Sequence, residues 1–269
     1  MRWNISYSCL THIGKIRSMN QDNYICDGKY LDADSGGSAA PLSGSLPCDP
    51  PFMIGVFDGM GGEQCGEVAS LIASECAANY TVGEKPLEDL LKFCMTANDR
   101  ICAYAEENGV SVMGTTAALL AFTAREIALC NIGDSKVFRF ADEKLAQLSV
   151  DHYAFPEYGR KPPLSQNLGI PAEEMVIEPY IEALTYRDGD VYLLCSDGLT
   201  DMVPTEEICR ILTHEPFEAA AGKLLEAALN GGGKDNITII LCRVGRTKSG
   251  LFRRLFRPKN KKGVNDNGK

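Results

Sequence analysis

Residues 115–150 read TTAALLAFTAREIALCNIGDSKVFRFADEKLAQLSV. Four strand-like runs follow one another here, TTAALLAF, EIALCNI, KVFRF and KLAQLSV, with only short turns between them. Adjacent strands joined by short turns pair antiparallel, because a parallel crossover needs a much longer connection. Toward the C-terminus, a Pro-rich stretch at 156–171 is followed by MVIEPYIEAL and DVYLLCS as further strands, with Asp188-Gly189 as a hairpin-type turn. The run ITIILCRV makes a last buried strand. Toward the N-terminus, a first strand is expected up to about Leu10 and another at FMIGVF, while residues 32–51, rich in Gly, Ser, Pro and Asp, read as a long surface loop. Helical spacing places Cys65, Val68, Ala69, Ile72, Ala73 and Cys76 on one face. A second helix begins after Pro86 with Leu87, Leu90, Leu91, Cys94, Ile101 and Cys102 on one side. A third starts with Thr205 as N-cap and Glu206 and Glu207 in the first turn, and a fourth, PFEAAAGKLLEAALN, runs into Gly231-Gly232-Gly233. The fold class expected is α+β, antiparallel sheets with paired helices packed outside, in one domain.

Composition narrows the function classes. The chain has 269 residues and formal net charge -9, which argues against nucleic acid as the main partner. Residues 246–269 hold nine Lys or Arg and one Asp, net +8, which leaves 18 basic and 35 acidic residues in the body, net -17. Such a body has to be solvated or satisfied, and divalent cations are one candidate. The 11 cysteines include no C-x-x-C pair, and Cys76, Cys94, Cys195 and Cys242 sit in apolar runs, as reduced thiols of a cytoplasmic protein do. Neither a signal peptide nor a bilayer-spanning window is evident, and with His 3 in all a histidine-rich zinc site is not expected.

Three apolar runs stop at an aspartate: GVF before Asp58, ALCNIG before Asp134 and VYLLCS before Asp197. Asp235 immediately precedes ITIILC, and Asp201 lies four residues after Asp197, on the same face if LTDMV turns helically. Carboxylates at strand ends can gather at one sheet edge, where their mutual repulsion keeps them ionised only if a cation joins them. Hard oxygen ligands select Mg²⁺ or Mn²⁺. The loop VFDGMGG (56–62) looks like a phosphate cradle but leads with an acid. Asp58 and the Gly59 carbonyl therefore suit metal, while phosphate falls to Arg17 in RSMNQD, whose planar guanidinium grips two oxygens at once.

The ordered blocks GKIRSMNQDN, VFDGMGGEQCGEVAS, GTTAAL, NIGDSK, LSVDH, LLCSDGLTDMV and GGKDNITIIL resemble the metal-dependent serine/threonine protein phosphatases of the phosphatase 2C family. The resemblance covers residues 3 to 244 and implies a four-layer α-β-β-α sandwich, with residues 1–245 as catalytic domain and 246–269 as a basic tail. It implies that Asp58 bridges two ions, Mn²⁺ or Mg²⁺, with the Gly59 carbonyl on one of them. Asp197 and Asp235 would ligate one ion, and Asp22 the other, largely through water. Asp134, Asp197 and Asp201 match a third, weaker metal site of bacterial relatives, and Arg17 matches the phosphate-binding arginine. The implied reaction is hydrolysis of phosphoserine and phosphothreonine in proteins. Ions about 3.5–4 Å apart share a water that attacks phosphorus in line, without a phosphoenzyme.

Two departures carry consequences. Asn20-Gln21-Asp22 stands where the family reads Asn-Glu-Asp, so one negative charge is missing and weaker metal affinity is expected. Met60 replaces the histidine of animal relatives, which points to a bacterial-type enzyme using water as its acid, with His152 in a structural role. The segment after His152 is shorter than the family's flap. Asp27 and Asp188, each followed by Gly, read as plain turn residues, and Cys65 as a small buried thiol or a redox sensor. The tail LFRRLFRPKNKK places Leu251, Phe252, Leu255 and Phe256 on one helical side, either as a peripheral membrane or partner contact over residues 250–262 or as a solvated extension. The expected partners are phosphorylated proteins, targets of a cognate serine/threonine kinase, acted on by a monomer. A catalytically weak phosphoprotein-binding regulator on the same fold is the alternative.

Overall fold

The computed structural model describes residues 2–35, 37, 39–60, 65–155 and 162–247. The chain opens with β1 (Arg2–His12), β2 (Asp22–Ile25), β3 (Leu42–Pro47) and β4 (Phe52–Met60). Two helices follow, α1 (Gly66–Ala78) and α2 (Pro86–Asn108). The central strands are β5 (Gly114–Thr115), β6 (Ala117–Phe122), β7 (Ile127–Ile132), β8 (Lys136–Ala141), β9 (Lys144–Gln147), β10 (Tyr180–Leu184) and β11 (Val191–Cys195). Three helices and a strand close the fold: α3 (Asp197–Thr200), α4 (Thr205–His214), α5 (Phe217–Asn230) and β12 (Ile237–Thr247).

The strands make two antiparallel sheets, β3-β1-β12-β11-β8-β9 and β10-β7-β6-β4-β2, with β5 paired to β4. Strand alternation sorts their side chains into three apolar layers. Ala118, Leu120 and Phe122 of β6 meet Tyr192, Leu194, Ile240 and Cys242 between the sheets. Ala117, Leu119 and Ala121 face the other way, onto Ala73, Phe93, Cys94 and Ala97 of α1 and α2. On the far side Leu193, Ile239 and Leu241 pack against Ile208, Ile211, Leu224 and Ala228 of α4 and α5. Helix, sheet, sheet and helix therefore stack as the expected four-layer α-β-β-α sandwich. The run TTAALLAF has no polar alternation because both its faces are covered.

Several local expectations change. β7 and β8 are consecutive yet belong to different sheets, so the chain crosses the sandwich at Gly133-Asp134-Ser135 instead of turning back in a hairpin. Gly133 has φ 94, and a Cβ there would lie 2.6 Å from Thr116 Cγ2, so the crossing requires glycine. Asp188-Gly189 is a turn with Gly189 at φ 91, but it too passes from one sheet to the other. The stretch 32–51 contains β3, an exposed edge strand held to β1 by its ladder. Only Tyr180–Leu184 of MVIEPYIEAL is strand. Leu91 is 42% exposed, and Phe93 and Ala97 take the buried face of α2 instead. Thr205 is the first residue of α4, with Pro204 as its N-cap and no capping hydroxyl bond. All 11 cysteines are free and eight are buried. Cys65, half-buried, precedes α1 in left-handed backbone at φ 73. No helix among the described residues is long and apolar enough to cross a membrane. Gly61, Gly62 and the apolar side of the tail lie outside the described residues, while Arg246 and Thr247 end β12.

Candidate active site

The acids arrive where strands stop. Asp58 and Gly59 are near the end of β4, and Asp22, the first residue of β2, pairs with Asp58. Asp134 sits in the crossing from β7 to β8, Asp197 opens α3 just after β11, and Asp235 precedes β12. Both sheets present these ends at one rim of the sandwich. A cleft of about 380 Å³ opens there, lined by Asp58, Gly59, Asp134, Asp197, Asp235 and Arg17, with Gln21, Met60, Thr116, Asn236 and the segment Pro162, Pro163 and Leu164.

Two sequence candidates stand apart from that lining. Asp22 lies behind it, 2% exposed, with Oδ2 accepting from the Ser196 and Thr238 hydroxyls at 2.7 Å each. Asp201 follows Asp197 through the expected helical turn, its N–H donating to the Asp197 carbonyl at 2.8 Å, but it is solvent-exposed and outside the cleft.

Polar neighbours that the acid pattern does not reveal fix the backbone. Thr116 Oγ1 accepts from the Asp58 N–H at 3.0 Å and bonds Ser135 Oγ at 2.7 Å, while Thr115 Oγ1 donates to the Asp58 carbonyl at 2.9 Å. Asn236 accepts the Gln21 N–H at 2.8 Å and donates to the carbonyls of Ile13 and Met19 at 2.9 Å each, which ties the Arg17 loop to the start of β12. His152 Nδ1 accepts the Gly133 N–H at 3.2 Å, so this ring props the crossing that carries Asp134. Tyr153 donates to Asp134 Oδ2 at 3.2 Å. The only sequence sign of these residues is adjacency: Ser196 precedes Asp197, Asn236 follows Asp235, and Thr115 and Thr116 stand in the GTTAAL block.

Glycines let the walls close. A Cβ at Gly59 would lie 2.1 Å from the Gly66 carbonyl oxygen and 2.5 Å from that of Gln21, and one at Gly198 would lie 1.9 Å from the Asn236 carbonyl oxygen. The close backbone approach expected of DGMGG is therefore real at Gly59.

Electrostatics point the same way. Burial, with Asp22, Asp197, Asp134 and Asp235 adding repulsion, holds the Asp58 carboxyl well above its usual range. Burial pushes Asp22 up to about 7 against the pull of its two hydroxyl donors. Arg17 is the counter-charge: Nη2 meets Asp235 Oδ2 at 2.7 Å, and the fields of Asp235, Asp58 and Asp197 raise its pKa. Among the described residues no three His, Cys, Asp or Glu side chains close on a single ion position. The donors are nevertheless all hard oxygens, carboxylates and the Gly59 carbonyl, around a site whose negative charge Arg17 only partly offsets. That chemistry fits a magnesium- or manganese-class ion completed by water, and no softer metal.

Residues 50–232 match the family described as protein phosphatase 2C. The serine/threonine protein phosphatase PstP of Mycobacterium tuberculosis is 33% identical over 71% of this chain and 40% of its own length. The chain thus spans about two fifths of that relative. The serine/threonine phosphatase stp of Listeria monocytogenes is 31% identical over 89% of this chain and 96% of its own length. A solved structure of the PstP catalytic domain in complex with 2 manganese ions superposes with TM-score 0.72, at 28% identity over 91% of this chain and 100% of that one. The matched span begins just before the strand bearing Asp58 and takes in the crossing at Asp134 and the turn at Asp197. With that match and that relative, the chain belongs to the protein phosphatase 2C family.

Proposed function

We propose that the cleft hydrolyses phosphoserine and phosphothreonine esters of proteins, using two divalent ions of the Mn²⁺ or Mg²⁺ class and room for a third. The observation that carries this reading is the convergence of Asp58, Asp134, Asp197, Asp235 and Arg17 on one cleft in this fold. Asp58, Asp197, Asp235 and the Gly59 carbonyl are the holding groups. Asp22 would support them from behind through water, and Asp134 with Asp197 would serve the third position, to which Asp201 could contribute only from outside the cleft. When bound, such ions act as Lewis acids that lower the pKa of a water toward neutrality and offset phosphate charge. Arg17 already faces the acids, and its fork can exchange Asp235 for two phosphate oxygens, which sets phosphorus in line with the water.

The lining contains no His, Cys or Ser among the described residues, and Thr116 is engaged by Asp58 and Ser135. No hydroxyl or thiol is therefore poised as a nucleophile, and with the lining aspartates committed to holding the ions, attack by water without a phosphoenzyme is the reading proposed. Met60 has no proton to give, so the leaving alkoxide takes its proton from solvent. No observation favours a catalytically weak binding role, since every core aspartate is present. The partners proposed are phosphorylated targets of a serine/threonine kinase, met by a monomer in the cytoplasm. The free, mostly buried thiols support that compartment. The catalytic body runs through Thr247, where β12 ends, two residues beyond the expected boundary, and the basic residues after it are a solvated extension or a membrane or partner contact over 250–262.

The test is release of phosphate from a phosphothreonine peptide with Mn²⁺. EDTA abolishes it, and Asp58→Asn lowers kcat/KM by at least about 100-fold, the scale of losing one preorganised electrostatic group. Turnover unchanged in EDTA, or retained by the variant, overturns the assignment.

A further inference from the structure

A second opening adjoins the catalytic cleft. It is a groove of about 750 Å³ between the C-terminal half of α2 and residues 167–174. Met60 lines both openings and pairs with Gly114 of β5, so the groove leads directly out of the site where phosphate is expected.

Its walls are fixed. Asn98, 4% exposed on α2, accepts the N–H groups of Gly169 and Ile170 at 2.8 and 3.1 Å and donates to the Ile170 carbonyl at 3.0 Å. Gly169 has φ 105, and a Cβ there would lie 2.5 Å from the Met113 carbonyl oxygen, so the segment lies directly against the β5 wall. The apolar floor comprises Val110, Val112, Met113, Ile170 and Pro171, and Val112 is 71% exposed. Around it stand Asp99, Glu106, Glu173 and Glu174, with no Lys or Arg in the lining among the described residues. None of these four carboxylates has a side-chain partner among the described residues. Asp99, Glu173 and Glu174 line the same groove as Cys102, whose thiol is raised by burial first and then by their fields.

An apolar floor ringed by unpaired carboxylates, opening from a phosphate site, suits one kind of occupant. We propose that this groove binds a segment of the substrate protein carrying Lys or Arg beside an apolar residue, so that phosphorylated residues in basic sequence are preferred. The proposal rests on the phosphatase reading above and names the substrate class for that site.

The experiment compares kcat/KM for three substrates of the full-length protein with Mn²⁺. These are a phosphothreonine peptide flanked by arginines and a leucine, the same peptide with the arginines replaced by alanine, and p-nitrophenyl phosphate. The arginine peptide is expected to be favoured by roughly tenfold, about what two or three exposed ion pairs supply, and less so in high salt. Glu173→Gln with Glu174→Gln removes most of that preference and leaves p-nitrophenyl phosphate turnover unchanged, which also shows that the variant is folded. Equal rates for the two peptides, or a preference that survives neutralisation, overturn the proposal while the phosphatase reading stands. Failure to turn over any substrate, the small ester included, removes both. A truncation after Thr247 that speeds the alanine peptide to the arginine peptide's rate would give the groove to the chain's own basic tail and likewise overturn it.

Discussion

Gln21 is the informative departure from the family pattern, and its neighbour decides what reversing it would do. Its Nε2 lies 3.3 Å from Glu67 Oε2 on α1, so the amide donates to a carboxylate. In Gln21→Glu an acidic oxygen would take that place. Two unit charges at this separation repel by about 1 kcal/mol at the dielectric constant of water, and by about 5 at an effective value of about 20. Both residues are partly exposed and can swing apart, so we expect the metal-free variant to lose about 1–2 kcal/mol at pH 7.5. The same added charge should strengthen attraction for a divalent ion by a comparable amount, about 5- to 30-fold in the Mn²⁺ concentration that half-saturates activity. One substitution thus acts with opposite signs in EDTA and in Mn²⁺. Urea denaturation in EDTA and Mn²⁺ titration of phosphatase activity read the two arms. Adding Glu67→Gln should restore metal-free stability, because the coupling is pairwise. Metal-free stability unchanged by Gln21→Glu, or lost equally with Glu67→Gln present, would refute the contact. Unchanged metal dependence would refute the role given to residue 21.

Other consequences can be checked separately. Gly198→Ala puts a methyl 1.9 Å from the Asn236 carbonyl oxygen, a backbone group and not the end of a flexible side chain; about 1–3 kcal/mol of stability should be lost, with Mn²⁺ affinity falling alongside, by thermal denaturation and activity titration. Phe93→Ala empties a fully buried position against Phe57 and should cost about 3–5 kcal/mol in urea while kcat at low temperature changes little. In EDTA the folded state holds a proton on Asp22 up to about pH 7, whereas the unfolded chain releases it near about 4. The native state then binds more protons than the unfolded one across this window, so metal-free stability should fall as pH rises from about 4 to about 7, Asp22 alone contributing at most about 4 kcal/mol and the raised Asp58 adding in the same direction. Urea midpoints that stay flat or rise across that window would contradict the burial of that carboxyl.

The parts of the fold that were legible in the sequence are those whose residues answer only to their own period. TTAALLAF reads as a strand because AALLAF is apolar throughout, and α1 shows its face through plain helical spacing. The parts that were not legible depend on partners. LSGSLP carries no strand signal and becomes β3 only because the β1 ladder accepts it. Leu91 and Phe93 are both apolar, and which of them is buried is settled by where Phe57 and Tyr80 stand. The turn before Asp134 looks like any hairpin turn. That it crosses between sheets follows from Thr116 closing on Gly133 and from His152 beneath it, contacts made across the sandwich.

That crossing also explains why the acids were legible and their supports were not. A carboxylate that ends an apolar run is visible in the sequence because it interrupts a pattern. Ser196, Thr238 and Asn236 interrupt nothing, and their roles exist only once β2 of one sheet meets β11 and β12 of the other at the rim. Asp22 illustrates the difference. Its identity is a matter of sequence, but its burial and its two hydroxyl donors are supplied by strands more than 170 residues away. The site is therefore assembled by the stacking of two sheets, each contributing strand ends, and no single loop contains it. A lone Asp-Gly pair such as Asp27-Gly28 carries no chemistry here because it falls at a turn away from that rim, whereas Asp58-Gly59 does because its strand ends where the other sheet's strands also end.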